Sequence, residues 1–229
     1  GWRRRKAIEV PLRDVMKRKK IGLEVIGAIL PSTSDRHTPR LLAIMCIAFL
    51  MNGTAFPMTM GLAAYVAKEI YGVGQGVLSY MVAGLAFGAF VSSVLLSRYA
   101  RTLRAGRVGL VASVMWLAII IVYSWVSNPV AGVVLLVIAG VAQGASQTPM
   151  SAVLLKTSAP ALRGRVMGIR MLVIYSNLPG LLFAGPLIDR FGYPVTATAY
   201  SVFGLAVFGL IVARWGSHLW PRDAPTNAR

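Results

Sequence analysis

Charge is scarce in this chain. Of 229 residues only 14% are Asp, Glu, Lys or Arg, and seven are acidic, against roughly a quarter charged in a soluble domain. Cysteine is scarcer still: Cys46 stands alone, which excludes an intrachain disulfide framework and a cysteine-rich metal site. The two histidines, His37 and His218, lie outside the long apolar runs, so no intramembrane imidazole is at hand to activate a serine. The central part of each run is read as free of Asp, Glu, Lys, Arg and His, because a charge there costs at least about 2.5–3.5 kcal/mol and marks an ion or proton path. These absences argue against an intramembrane protease, a redox protein and a metal site. The chain reads as a non-enzyme without a cofactor.

What is present is apolar. Hydrophobic residues make up 56% of the chain, gathered into runs of about 18 to 27, each able to cross a hydrocarbon core of roughly 30 Å. Six spans are expected, at 41–66, 76–97, 108–126, 130–155, 166–188 and 195–213. They are helices, since a barrel strand needs only about 9–11 alternating residues and none of the runs alternates. Thr38-Pro39, Asn128-Pro129 and Tyr193-Pro194 put proline near a first turn, where its missing N–H leaves nothing unsatisfied. Thr38 and Asn128 add a capping side chain. The expected fold is an all-α membrane protein.

The 24 Lys and Arg residues are sorted by connection. Twenty-two fall in residues 1–40, 98–107, 156–170 and 214–229, leaving Lys68 and Arg190 for the remaining connections. Cytoplasmic loops retain Lys and Arg, which predicts a multi-pass protein of the cell membrane with both termini cytoplasmic. The net charge of +17 is then topology, and its expected partner is anionic membrane lipid rather than nucleic acid. Residues 1–40 form a basic cytoplasmic segment, 41–213 the bundle and 214–229 a tail. In the first, Arg3-Arg4-Arg5-Lys6 and Lys17-Arg18-Lys19-Lys20 bracket Ile8, Leu12, Val15 and Met16, the pattern of an amphipathic helix on the inner leaflet. Glu24 and the lack of an A-x-A-like site argue against a signal peptide over Ile21–Leu30.

Polar residues interrupt three spans near mid-depth. The first holds Asn52-Gly53-Thr54 before Pro57, the fourth Gln143-Gly144-Ala145-Ser146-Gln147-Thr148 before Pro149, and the fifth Tyr175-Ser176-Asn177 before Pro179. An unpaired amide there costs several kcal/mol, and proline frees a carbonyl one turn earlier. Such pairs of Gly/Pro-interrupted segments, in the first span of each three-helix unit, point to the binding site of an inverted-repeat transporter. Asn52, Gln143, Gln147, Tyr175 and Asn177 are the candidate substrate residues. Gln143 and Gln147, four apart, share a helix face with Ser151. Their amides either serve one ligand or hold helices together at about 0.6 kcal/mol per bond. Spans three and six carry only small hydroxyl residues and read as outer helices. Gly84 with Gly88, and Gly140 with Gly144, have the four-residue spacing that lets helix backbones approach. Gly72, Gly74 and Gly76 lack a preceding strand and a following Lys-Ser/Thr, which excludes a phosphate loop.

Two turns carry a family resemblance. Pro160-Ala161-Leu162-Arg163-Gly164-Arg165-Val166-Met167-Gly168 and Gly185-Pro186-Leu187-Ile188-Asp189-Arg190-Phe191-Gly192 resemble the turns after helices 10 and 11 of a major facilitator superfamily transporter. The drug- and siderophore-exporter branch is the part of that family they are similar to. The resemblance covers about residues 38–215 and implies that the spans are helices 7 to 12. They would form one 3+3 inverted-repeat half, whose partner is the missing N-terminal six-helix half. It further implies export of a small amphipathic molecule by alternating access, with spans 1, 2, 4 and 5 lining the cavity and 3 and 6 facing lipid. Arg163 and Arg165 would act at the inner gate, Asp189 and Arg190 at the outer end. Ser97-Arg98-Tyr99-Ala100-Arg101 has the bases of the family's Gly-x-x-x-Asp-Arg-type signature without its acid, so no charge-pair latch is expected within that turn. The alternative is a non-transporting membrane module, or an assembly or scaffold protein derived from a half transporter.

Overall fold

A chain immersed in hydrocarbon must satisfy every backbone N–H and C=O within itself, and helices do so segment by segment. The computed structural model describes residues 38–72, 75–99, 105–158 and 163–219, and every element among them is helical. Residues 1–37 and 220–229, with the expected amphipathic helix and the end of the tail, lie outside those described. Helix α1 is Thr38–Phe56; α2 is Gln75–Tyr99; α3 is Ala105–Ser124; α4 is Pro129–Thr157; α5 is Arg163–Ile174; α6 is Asn177–Phe191; α7 is Tyr193–Leu219. Six stretches are long and apolar enough to cross a membrane: Leu42–Ile70, Gln75–Tyr99, Gly106–Ser124, Pro129–Lys156, Val166–Phe191 and Tyr193–Arg214. The expected all-α fold with six spanning helices is found.

Local chemistry explains the irregular places. Beyond Phe56, α1 continues as a π-helical turn, Pro57–Gly61, a single α turn, Ala63–Tyr65, and a second π turn, Val66–Ile70. The Leu62 N–H reaches the Pro57 carbonyl at 3.0 Å, closing the wider ring. At the head of α4 the Asn128 Oδ1 accepts from Val130 and Ala131 N–H at 2.9 and 3.3 Å, the expected cap. Helix α4 runs on through Pro149. Gly192, at φ 79°, ends α6 with its N–H on the Ile188 carbonyl at 2.8 Å and turns the chain straight into α7.

The fifth span departs from expectation. A single helix over 166–188 is replaced by α5 and α6, separated at Tyr175–Ser176. There the Tyr175 and Ser176 N–H groups bond three residues back, to Leu172 and Val173, each at 3.1 Å. Pro179 has no N–H for the Tyr175 carbonyl, which accepts from Leu178 at 3.1 Å instead. The missing donor contributes to the break without being sufficient for it, since α4 runs on through Pro149 and α6 through Pro186.

Lipid gives helices no hydrophobic reason to associate, so close packing has to hold them. The two glycine pairs read from the sequence meet each other. A methyl on Gly88 would strike the Val137 carbonyl, and one on Gly140 the Leu85 carbonyl. Helix α3 packs on α4 and α7; Ser113 and Ser146 hydroxyls lie 2.6 Å apart at that seam. Span three, expected at the periphery, has two faces: Trp116, Leu117 and Ile120 are fully buried, while Val111, Met115 and Val122 are exposed. The first span is the most enclosed of the six, and the second and fifth are the least. Tyr193, buried at the start of α7, donates to the Met58 carbonyl at 2.7 Å and ties α7 to the first π turn.

Candidate functional site

Helix α4 carries Gln143, Gln147 and Ser151 at four-residue spacing, so they line one face. All three are half-buried. The Ser151 hydroxyl donates to the Gln147 carbonyl at 2.6 Å. From α5, Arg170 reaches the same residue: its Nη2 lies 3.3 Å from the Gln147 carbonyl oxygen and 3.3 Å from Gln147 Oε1. A guanidinium has donors only, so the amide oxygen must turn toward it. Gln147 therefore anchors a cation on a helix face that continues to Gln143 one turn away.

Arg170 refines the sequence reading, which places it in the basic inner segment 156–170. It is the fifth residue of its span, so the centre of that span carries no charge, as expected. The span Val166–Phe191 includes it, α5 begins two turns earlier at Arg163, and the side chain is half-buried against α4. The signal was present in the sequence, since residue 170 falls inside the apolar run that was expected to begin at 166. Grouping it with the loop arginines hid it.

The remaining candidates sit elsewhere. Asn52 is buried and its Nδ2 donates to its own helix, to the Ala48 carbonyl at 2.8 Å. Thr54 does the same to Leu50 at 2.7 Å. Beside them α1 crosses α6: a methyl on Gly180 would strike the Gly53 carbonyl, and the Ser176 hydroxyl donates to the Phe49 carbonyl at 2.9 Å. Tyr200 donates to the Gly180 carbonyl at 2.9 Å. The crossing borders an open, mainly apolar cavity of about 450 Å³ lined by residues including Phe49, Gly53, Ser176, Phe183 and Phe203. Tyr175 is exposed, and Asn177 is half-buried with its Oδ1 buried and lacking a hydrogen-bond partner. The five candidates thus divide into Gln143 and Gln147 on α4, and Asn52, Tyr175 and Asn177 near the α1–α6 crossing. No hydrogen bond joins these two groups among the described residues.

Of the residues assigned to gates, Arg163 is exposed at the start of α5, and the Arg165 side chain lies outside those described. Asp189 and Arg190 are exposed at the end of α6, and the Arg190 guanidinium lies over the Phe191 ring, 5.5 Å from its centre. Lys68 and Glu69 form an exposed ion pair at 3.4 Å, of the kind that contributes little. Among the described residues no three of His, Cys, Asp and Glu gather as metal ligands.

Comparison with known proteins adds one match. The sequence model described as Major Facilitator Superfamily matches residues 7–176, about three quarters of the chain. No curated protein matches, and no solved structure does.

Proposed function

The chain belongs to the Major Facilitator Superfamily, and from that premise we propose that its six helices are one bundle of a secondary transporter that exports a small amphipathic molecule by alternating access. Membership makes it a multi-pass membrane protein of the transporter kind. The proposal adds a second six-helix bundle that completes the cavity, both termini on the cytoplasmic side of the cell membrane, anionic lipid against the basic loops, and no chemical conversion of the cargo. A resemblance to the drug- and siderophore-exporter branch supports the direction of transport.

The observation that carries the reading is the polar face of α4. Gln143 and Gln147 stand in line on a proline-containing helix that is mainly apolar, and one of them is engaged across helices. Amides at mid-depth supply both donors and acceptors without the cost of a charge, which suits a cargo that must leave as readily as it enters. Asn52, Tyr175 and Asn177 are assigned to the far side of the same path, at the α1–α6 crossing. Arg163 and Arg165 are assigned to the inner gate, Asp189 and Arg190 to the outer.

Efflux from vesicles bearing the full-length protein tests this. Gln143→Ala and Gln147→Ala each remove a hydrogen bond to cargo and should slow efflux of an amphipathic dye such as 6-(p-toluidino)naphthalene-2-sulfonate by about three- to tenfold. Leu210→Ala, on an exposed position of α7, should leave it unchanged. Normal efflux by both folded glutamine variants would remove the site assignment.

A further inference from the structure

The Arg170 side chain has an incomplete set of partners. A guanidinium carries five N–H donors and never loses its charge in a protein. Both observed bonds use Nη2, at 3.3 Å, and both end on Gln147. Those distances lie beyond the usual 2.7–3.2 Å range. The Nε and Nη1 donors have no protein acceptor among the described residues. Nor is there a carboxylate to meet them: the described acids are Glu69 and Asp189. Glu69 pairs with Lys68 at 3.4 Å. Asp189 is nineteen residues further along the same span, about 28 Å at the helical rise of 1.5 Å per residue. A half-buried permanent cation is costly unless an anion or several good acceptors face it. Here the bundle provides the amide and the backbone carbonyl of Gln147, which fix the cation beside the Gln143–Gln147 face.

We propose that Arg170, steadied by Gln147, is the counter-charge for an anionic group of the transported molecule, so that the cargo is a small amphipathic anion bearing a carboxylate, sulfonate or phosphate. This rests on the reading of the α4 face as a wall of the substrate path. The planar fork of arginine matches a two-oxygen anion, and charge-assisted bonds of that type are about twice as strong as neutral ones. The neighbouring Gln143 amide is free to bond a second polar group of the cargo. Apolar helix surface on either side receives the rest of the molecule.

The test uses full-length protein in nanodiscs of phosphatidylcholine and two probes of similar size and opposite charge, 6-aminonaphthalene-2-sulfonate and 6-amino-1-methylquinolinium, each with an amino group that the Gln143 amide can bond, and binding is read by calorimetry. Arg170→Gln should weaken the sulfonate about ten- to a hundredfold and leave the quinolinium within a factor of about two; Arg170→Lys should retain part of the sulfonate preference. An unchanged sulfonate affinity in Arg170→Gln, or an equal loss for both probes, overturns the proposal. Should Arg170→Gln fail to fold, the wild-type protein answers alone: the sulfonate should slow phenylglyoxal modification of Arg170, read by peptide mass spectrometry, and the quinolinium should not. Equal protection by the two, or none, overturns the proposal. Protection by phosphatidylglycerol that the sulfonate cannot reproduce would give the charge to a lipid headgroup and overturn it too. Gln143→Ala, expected to weaken both probes alike, checks the wall separately. No effect there removes the wall reading, and the cargo assignment falls with it even if Arg170→Gln behaves as expected.

Discussion

Replacing Gly140 with alanine puts one methyl into the seam between α2 and α4. That methyl would lie 3.0 Å from the Leu85 carbonyl carbon and 3.1 Å from the Ala89 nitrogen, with the Leu85 oxygen closer still. All three atoms are backbone, so no side chain can swing aside. The reciprocal contact is as tight: a Gly88 methyl would lie 2.9 Å from the Val141 nitrogen and 3.0 Å from the Gly140 Cα. Carbon contacts settle near 3.5–4.0 Å, so the helices must separate by about an ångström and loosen their other contacts. Overpacking of this sort costs about 1–3 kcal/mol, and the gain from removing a helical glycine returns about 0.5–1. The net loss expected is about 1–2 kcal/mol, or roughly 2–8 °C in the midpoint for a chain of this size. Size-exclusion chromatography of heated detergent extracts reads it. Gly88→Ala should lose a similar amount, and the double variant little more than either, because one separation accommodates both methyls. Gly209→Ala, with open space around it, should match or slightly exceed wild type. A Gly140→Ala midpoint equal to wild type would refute the close approach of the two helices.

Other outcomes follow from single bonds. Tyr193→Phe loses the bond to the Met58 carbonyl and should destabilise by about 0.5–1.5 kcal/mol in the same heating assay; no change would mean the α7–π-turn link is idle. Asn128→Ala should cost about 1 kcal/mol as the α4 cap is lost, with Asn128→Ser restoring most of it. Tags at the two ends of residues 38–219 should become protease-accessible from the same side of the membrane. Access from opposite sides would make the number of crossings odd.

Apolar run length made the six spans legible in advance, because a crossing helix needs only enough hydrophobic residues in a row. Glycine spacing forecast close helix approach for a similar reason, since Gly84, Gly88, Gly140 and Gly144 lack what would keep backbones apart, but that α2 and α4 meet there came from the structure. The break at Tyr175–Ser176 was half visible. Pro179 announced a kink, but whether a proline bends a helix or divides it depends on which neighbouring N–H rescues the orphaned carbonyl, and here that is Leu178. Arg170 was missed because a cation near a span's end satisfies the topology rule whether or not it turns inward. Only the position of Gln147 on a different helix distinguishes the two. Asn52 shows the converse. A mid-depth amide reads from sequence as a ligand group or as a tie, and only the structure shows that its Nδ2 takes the carbonyl four residues back.

The two wide turns in α1 carry a consequence for the phase of that helix. Each contains one residue more than a regular turn, so the azimuth of every side chain downstream is reset relative to an unbroken spiral. Counting by threes and fours from Leu42 to Ile70 therefore loses step at Gly61 and again at Ile70. Excising Met60 would close the first of these to a regular turn and leave the stretch beyond it near its present azimuth. Tyr65, whose ring lies 6.3 Å from that of Tyr193, and buried Val66 and Ala67 would keep their places. The same deletion in the regular part of α1, at Met51 for instance, would rotate everything beyond it by about 100° about the axis. The wide turns are thus where this helix can lose a residue without turning its core face away.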